Sequence, residues 1–322
     1  MESEQALNFK NFEIWTHELT KVYGRGNKSI KAVKGINFVM NPGIHGFLGP
    51  NGAGKTSTIN MLIGAISITK GEAKIRGKEA GSVEARKLIG FLPQDPAFYD
   101  YMIGEDYLIF KAQLSGMHKN EAKEKANELL KHFEMDTAKA RKIGKYSGGE
   151  KQKIGLAASF IHNPEILILD EPTANLDPIG RGNLIKLIKE LSKDMSIFVS
   201  SHVLSEIEQM CDTVTIINKG EIIITDSIKN IKNFYSKTTN LHILDTSSNE
   251  KIIQDIEKLD YISRVWIDEK EKKIYIDSED TEKLQEIIPT LLVKNRVLLK
   301  SFYQPESSLQ DIFIELMKED DS

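Results

Sequence analysis

A glycine-rich segment at residues 49–56 constrains this chain more than any other part of its sequence. It reads Gly-Pro-Asn-Gly-Ala-Gly-Lys-Thr, which has the form G-x-x-x-x-G-K-[ST] of a phosphate-binding P-loop. Its glycines can adopt positive φ, so that successive backbone N–H groups point at phosphate oxygens. Lys55 then reaches the β- and γ-phosphates, and Thr56 offers its hydroxyl to Mg²⁺. The segment predicts a site for a nucleoside triphosphate.

The residues on either side of this loop argue against a chance match to the pattern. Residues 43–48 contain the apolar pattern of a short strand, and residues 56–63 place apolar side chains at helical spacing. Strand, loop and helix therefore follow in the order that a P-loop requires. The N-terminus of the helix adds its positive dipole end beneath the phosphates.

Two further strands are predicted to end in side chains that can act on a nucleotide. Residues 166–169 are four large apolar residues, typical of a strand buried on both faces, and Asp170 and Glu171 follow them. Another apolar strand, residues 197–199, leads to His202. Ligands of parallel sheets bind at the carboxyl ends of strands, so Asp170 can hold Mg²⁺ while Glu171 approaches the attacking water. Taken alone, the acidic pair is equally compatible with a solvated turn, and an isolated histidine at a strand end is more often structural.

A Ser-Gly-Gly-Glu segment at residues 147–150 predicts a second helix N-terminus. Ser147 is a natural N-cap, and the apolar residues of 151–161 fall on one helical face. A plain junction between loop and helix is the simplest interpretation of so short a string. A glycine-rich helix N-terminus is nevertheless an anion site, and one nucleotide does not need two phosphate cradles from one subunit. The second phosphate cradle therefore indicates a nucleotide site that is shared between two subunits.

Composition narrows the functional classes. A chain of 322 residues accommodates two domains, and a net charge of −4 with interspersed Lys and Glu argues against a dedicated nucleic-acid surface. Cys211 is the single cysteine and cannot form an internal disulfide, and the N-terminus lacks the pattern of a signal peptide. Apolar runs fall far short of the roughly 20 residues that cross a bilayer. We expect a cytoplasmic protein whose membrane role, if any, goes through a partner.

Taken together and in this order, the motifs resemble those of the ATP-binding-cassette (ABC) ATPases, and six separate motifs agree. The resemblance assigns Walker A to 49–56, the Q-loop glutamine to Gln94, the signature to 147–150, Walker B to 166–170 with catalytic Glu171, the D-loop to 174–177, and the switch histidine to His202. Tyr23 matches the aromatic residue that stacks on adenine in this family, although an aromatic residue before a strand is more often part of a core.

The resemblance implies a fold, cofactors and site residues. The fold is an α/β P-loop NTPase cassette with a RecA-like core, an antiparallel β-subdomain and a helical subdomain. Two cassettes dimerise head to tail, and each ATP lies between the P-loop of one and the signature of the other. Glu171, His202 and Gln94 are the catalytic residues, and Mg²⁺ is held by Thr56, Gln94 and Asp170. The expected nucleotide-binding residues are Tyr23, Gly49, Pro50, Asn51, Gly52, Ala53, Gly54, Lys55, Thr56, Ser57, Ser147, Gly148, Gly149 and Asp177.

The signature departs from the family pattern at two positions. It usually begins with Leu and ends with Gln, whereas this chain has Tyr146 and Glu150. Glu150 places an acid near the nucleotide-facing segment, where it either weakens ATP binding or points away from it. The serine and both glycines are intact, so we expect an active ATPase.

The segment after His202 completes the cassette and begins a second domain. Residues 214–225 predict a hairpin around Asn218-Lys219-Gly220. We expect the cassette to span residues 1–235 and a small C-terminal ferredoxin-like α/β accessory domain to span 236–322. Within the second domain, strands are predicted at 241–244, 264–268, 273–276 and 297–303, and helices at 250–259, 281–288 and 309–317.

The closing Ser-Leu-Gln-Asp-Ile-Phe-Ile-Glu-Leu and the stretch 96–116 are similar to segments of drug, bacteriocin and sodium exporter ATPases. We therefore expect the cytoplasmic ATPase subunit of an exporter, a homodimer or a heterodimer with a related cassette. It would lie on the cytoplasmic face of the membrane through a separate integral-membrane permease, with no nucleic acid bound. The alternative is a soluble cassette that acts on nucleic acid or ribosomes, but that branch carries two cassettes and only about 90 residues follow this one. A P-loop kinase would leave the signature and His202 unexplained.

Overall fold

The computed structural model describes residues 12–236, 241–247, 249–268, 272–304, 309–310 and 312–313. The chain divides between Ile228 and Lys229 into two units, each with its own hydrophobic core. Within the described residues, none of the helices combines the length and the apolarity needed to cross a bilayer.

The first unit contains eleven strands among its described residues. They are β1 Ile14–Tyr23, β2 Ile30–Ile36, β3 Val39–Met40, β4 Ile44–Leu48, β5 Lys70–Ile75, β6 Lys78–Glu79, β7 Ile89–Leu92, β8 Ile166–Asp170, β9 Ser196–Ser201, β10 Thr213–Asn218 and β11 Glu221–Ser227. Its helices are α1 Lys55–Leu62, α2 Val83–Leu88, α3 Gly104–Leu114, α4 Lys119–His132, α5 Gly148–Phe160, α6 Pro178–Leu191 and α7 Leu204–Met210. The P-loop strand and helix, the acidic strand and the 213–227 hairpin are all present, which confirms the predicted α/β cassette fold.

A six-stranded sheet forms the centre of this unit, in the order β11-β10-β4-β9-β8-β7. The strands from β10 to β7 run parallel, and β11 adds an antiparallel edge. Every residue of β4, β8 and β9 is buried, as expected for parallel strands covered on both faces. Because these three strands are neighbours, the segments that follow them emerge at one edge of the sheet.

A second, antiparallel sheet packs into the same core. It contains β1, β2, β3, β5 and β6, with β1 paired to β2, β3 and β5. Ile14, Leu19 and Ile75 from this sheet join Phe47 and Phe198 from the parallel sheet in one buried cluster. The helices α3, α4 and α5 pack on one another and supply the predicted helical part of the cassette.

The second unit is a small α/β unit with a four-stranded antiparallel sheet. The division falls at the first residue of α8 Ile228–Ser236. The elements that follow are β12 Leu241–Thr246, α9 Asn249–Ile256, β13 Ile262–Ile267, β14 Ile274–Ser278, α10 Thr281–Asn295 and β15 Leu299–Tyr303. The strand order is β13-β14-β12-β15. Most of the predicted helix 309–317, with the turn at 269–271, lies outside the described residues.

One helix of this unit is longer than the sequence predicts. We expected a helix over residues 281–288, but α10 continues through Pro289 to Asn295. A proline inside a helix costs about 3 kcal/mol. Ile288, Leu291 and Leu292 are buried in the core on both sides of Pro289, and this burial offsets the cost.

Candidate functional site

The P-loop lies between β4 and α1 and has the backbone geometry of a phosphate cradle. Gly52 and Gly54 have φ values of +82° and +111°, which disfavour any residue with a Cβ. A Cβ on Gly49 would lie 2.3 Å from the carbonyl oxygen of Ile217, so only glycine fits there. A Cβ on Gly52 would meet no atom within 4 Å, which leaves that side of the loop open to a ligand. Pro50 and Asn51 are exposed, whereas Ala53 is buried.

Lys55 lies at the centre of the site and is almost fully buried. Its Nζ donates to the carbonyl oxygens of Gly49, at 2.7 Å, and Pro50, at 3.2 Å. The same atom lies 3.1 Å from Glu171 Oε1, and the two side chains are 5% and 6% exposed. A buried charge is stable only when it is paired, so this ion pair joins the P-loop to the end of β8.

The two carboxylates at the end of β8, Asp170 and Glu171, are held in different ways. The Ser200 hydroxyl donates to Asp170 Oδ1 at 2.5 Å and accepts from the Glu171 backbone N–H at 2.9 Å. Glu171 has φ +46°, a left-handed conformation that costs energy for a residue with a Cβ. Its Oε2 lies 2.5 Å from His202 Nδ1. Lys55, Asp170, Glu171 and His202 thus form one hydrogen-bonded cluster with Ser200.

Two residues of the site, Asp170 and Thr56, are of the types that hold Mg²⁺ together with a nucleotide. Within the described chain, His, Cys, Asp and Glu side chains form no group of three or more with metal-binding geometry. Mg²⁺ typically takes one or two carboxylates together with substrate phosphates. Asp170, which is 3% exposed, and the exposed Thr56 at the start of α1 match that donor set.

Tyr23 lies beside the P-loop helix. Its hydroxyl is 3.2 Å from Ser57 Oγ, and Lys21 Nζ lies 5.2 Å from the centre of its ring. The ring is 41% exposed, so it is available to stack on a ligand rather than serving as core.

The signature segment begins α5 with a complete capping box. The Ser147 hydroxyl accepts from the Glu150 N–H at 3.3 Å, and the Glu150 carboxylate accepts from the Ser147 N–H at 2.9 Å. A Cβ on Gly149 would meet nothing within 4 Å. The N-terminus of this helix therefore leaves an open surface that bears backbone N–H groups.

Both departures in the signature have a structural reason. Tyr146 is buried, and its hydroxyl donates to the Ala138 carbonyl oxygen at 2.8 Å. Glu150 forms an ion pair with Arg141, whose guanidinium also lies over the Tyr146 ring. Burial raises the pKa of Glu150, but the hydrogen bonds from the Ser147 N–H and from Arg141 outweigh it and lower that pKa below its ordinary value. The negative charge of Glu150 is thus partnered within the chain.

The remaining predicted residues, Gln94 and Asp177, lie in two other segments of the cassette. Gln94 is exposed after β7. Asp177 caps α6, where its Oδ1 accepts from the Gly180 N–H at 2.8 Å. Asn175 Nδ2 donates to Asp95 Oδ1 at 3.2 Å, so the D-loop segment contacts the residue after Gln94.

Three contributors to the site were not predicted as site residues. Ser200 has the signal of a polar residue at the end of a buried strand. Thr173 and Glu206 are buried beside the cluster, but a threonine in a turn and a glutamate on a short helix carry no distinguishing pattern in sequence.

Comparisons with known proteins agree with this geometry. Residues 33–174 match the family model described as ABC transporter. The ABC transporter ATP-binding protein YxlF of Bacillus subtilis is 36% identical over 288 residues, covering 89% of this chain and 95% of that protein. The bacitracin transport ATP-binding protein BcrA of Bacillus licheniformis is 35% identical, covering 94% and 97%. The linearmycin resistance ATP-binding protein LnrL of Bacillus subtilis is 32% identical, also covering 94% and 97%.

A solved structure has a similar fold over part of this chain. It is a dimeric ATP-binding cassette in a post-hydrolysis state bound to ADP and Pi, with a TM-score of 0.61 and 23% identity, covering 67% of this chain and 98% of that chain.

Proposed function

The chain belongs to the ABC transporter ATP-binding proteins and is an ATPase, and from this premise we propose how its residues act and what they energise. The observation that carries the proposal is the cluster of Lys55, Asp170, Glu171 and His202 at one edge of three parallel strands. Lys55 binds the β- and γ-phosphates. Glu171 orients the attacking water and accepts its proton, and His202 holds the Glu171 carboxylate in place.

In this proposal Mg²⁺ would be held by Asp170 and Thr56, together with Gln94 from the segment after β7. Mg²⁺, when bound there, neutralises charge on the phosphates. The Ser200 hydroxyl fixes the orientation of Asp170. Tyr23 and Ser57 lie at the adenine end of the proposed nucleotide, where the exposed Tyr23 ring stacks on the base.

The second anion site, at Ser147, Gly148 and Gly149, supports a dimer. The N-terminus of the 13-residue helix α5 is open at Gly149 and favours negative charge. Each cassette binds its own ATP with its P-loop, so we assign this surface to the ATP bound by a partner cassette. Asp177, which caps α6, faces the same nucleotide in that arrangement.

In this proposal, ATP hydrolysis by the chain drives export through a separate integral-membrane permease. The chain lies on the cytoplasmic face of the membrane through that permease. BcrA and LnrL, which match nearly the full chain, are named for bacitracin transport and linearmycin resistance. Their names support an antimicrobial compound as the cargo. Residues 236–322 form a ferredoxin-like accessory domain in this proposal, supported by the antiparallel order β13-β14-β12-β15.

The test compares Glu171→Gln with a matched change at the other end of the same strand. Glu171→Gln removes the base but keeps the shape, so phosphate release should fall by about 10² to 10⁴ while ATP is still bound. Glu165, which precedes β8 and pairs with Arg76 at the surface, provides the control Glu165→Gln with normal turnover. The Glu171→Gln protein should also sediment as a dimer with ATP. Phosphate release from Glu171→Gln near the normal rate would contradict the assignment.

A further inference from the structure

A buried carboxylate outside the proposed catalytic cluster links the segments that carry it. Glu206, in the first turn of α7, is 4% exposed. Its Oε2 accepts from the Thr173 hydroxyl at 2.5 Å and from the Ser201 hydroxyl at 3.4 Å. Thr173 lies two residues after Glu171, and Ser201 lies immediately before His202.

The other oxygen of this carboxylate faces the D-loop side. Arg181 Nη1 lies 3.7 Å from Glu206 Oε1, beyond the range of a direct hydrogen bond, and among the described residues Oε1 has no hydrogen-bond donor. The Nε of the same guanidinium donates to the Leu176 carbonyl oxygen at 3.0 Å. Glu206 therefore contacts the turn at Thr173 and the strand end at Ser201, with Arg181 beside it.

Burying a charged side chain costs free energy, so the buried position of Glu206 needs an explanation. The turn at residues 171–176 begins with the left-handed Glu171 and is closed by bonds from Ala174 N–H to the Glu171 carbonyl oxygen, at 3.2 Å, and from Leu176 N–H to that of Thr173, at 3.1 Å. A left-handed residue with a Cβ persists only where its surroundings hold it. The Thr173 hydroxyl, bound to Glu206, is the side-chain contact that ties the middle of this turn to the strand end beside His202.

We propose that Glu206 is a positioning residue, which holds the turn at residues 171–176 so that the Glu171 carboxylate meets His202. The inference rests on the proposed function of Glu171. Glu206 acts through Thr173 on one side and Ser201 on the other. Loss of the contact lets the turn relax and moves Glu171 from its reacting position.

The test uses two substitutions at Thr173 and a matched control. Thr173→Val keeps the shape but removes the hydroxyl, whereas Thr173→Ser keeps the hydroxyl. Thr16 provides the control Thr16→Val, because it is equally buried at 3% exposure and bonds to the Phe38 backbone in the antiparallel sheet, away from the cluster. Both valine variants lose a buried hydrogen bond, so a purely structural role predicts the same outcome for both.

We expect Thr173→Val to lower kcat about 10- to 100-fold, as a misplaced reacting group does, with KM for ATP changed little. Thr173→Ser should restore kcat, and Thr16→Val should retain it. In a Glu171→Gln background, Thr173→Val should have little further effect, because its action goes through Glu171. Equal kcat for Thr173→Val and Thr16→Val would overturn the proposal, as would a full additional loss in the double variant.

Glu171→Gln distinguishes a failure of the proposed function from a failure of the role assigned to Glu206. Normal turnover by Glu171→Gln would remove the proposed function itself, whereas its inactivity beside a normal Thr173→Val would remove only the role of Glu206.

Discussion

His202 Nδ1 lies 2.5 Å from Glu171 Oε2, and this contact joins the ends of two neighbouring parallel strands. Glu171 is 6% exposed at its side chain, whereas His202 is 43% exposed. One partner is thus buried and the other reaches the surface. The imidazole orients a carboxylate whose backbone is already in a left-handed conformation.

We expect His202→Ala to lower kcat by about 10², the lower range for loss of a group that supports general acid–base catalysis. KM for ATP should change less, because Lys55 and the P-loop backbone remain. Steady-state phosphate release at varied ATP concentrations measures both constants. His118, an exposed histidine whose side chain makes no capping bond at the start of α4, provides the control His118→Ala with normal kinetics. Equal kinetics for the two variants would show that the contact with Glu171 has no catalytic role.

Sequence predicts the parts of this site that are local in the chain. The P-loop, the acidic end of β8 and the N-cap Ser147 each follow from a short pattern with a physical reason. Contacts between distant segments leave no such pattern. The bond from Ser200 to Asp170 joins residues 30 positions apart, and neither residue type identifies the other in advance.

The signature segment is a second case in which a contact between separate residues could not be predicted from sequence. Sequence indicates that Glu150 places a charge near the expected nucleotide surface, and it leaves the direction of that charge open. The answer depends on Arg141, nine positions away, which pairs with Glu150. Pro289 is a further case, because its local preference against a helix is outweighed by the core packing of α10.

The buried His45 makes the stability of the first unit depend on pH. Its Nε2 lies 2.9 Å from Thr215 Oγ1 and its Nδ1 lies 2.9 Å from Thr213 Oγ1. Burial lowers the pKa of His45 from 6.5 to about 4. Below pH 6.5 the unfolded chain takes up a proton at this residue that the folded chain does not. The free energy of unfolding should therefore fall as the pH falls from 6.5 towards 4, by about 3 kcal/mol at most.

His45→Gln should remove this contribution, so that the variant loses less of its free energy of unfolding over that pH range. Urea unfolding monitored by Trp15 fluorescence reports on the first unit when Trp266→Phe is introduced, because the chain has two tryptophans. His118, exposed at the start of α4, supplies the control His118→Gln, which should keep the normal pH dependence. An unchanged dependence in His45→Gln would show that His45 is not the group responsible.

Two exposed tyrosines after Gln94 form the surface that we expect to receive the permease. Tyr99 and Tyr101 are 47% and 71% exposed and contact each other at 5.9 Å between ring centres. Phe98 instead packs against Tyr107 inside the helical part of the cassette. A charge at Phe98 would disturb packing, so Tyr101 offers the cleaner substitution. Exposed aromatic side chains are the residues that most often dominate such contacts.

Tyr101→Asp should leave the ATPase rate of the purified protein near normal and weaken binding to membranes that contain the permease. Loss of one aromatic anchor worth about 2 kcal/mol corresponds to roughly 30-fold weaker binding. Co-sedimentation with those membranes, measured beside the ATPase rate of the same preparation, distinguishes the outcomes. Val83→Asp replaces another exposed apolar residue, 55% exposed at the start of α2, and should bind normally. Loss of both activities in Tyr101→Asp would indicate a folding defect, whereas retention of both would show that the permease docks on another surface.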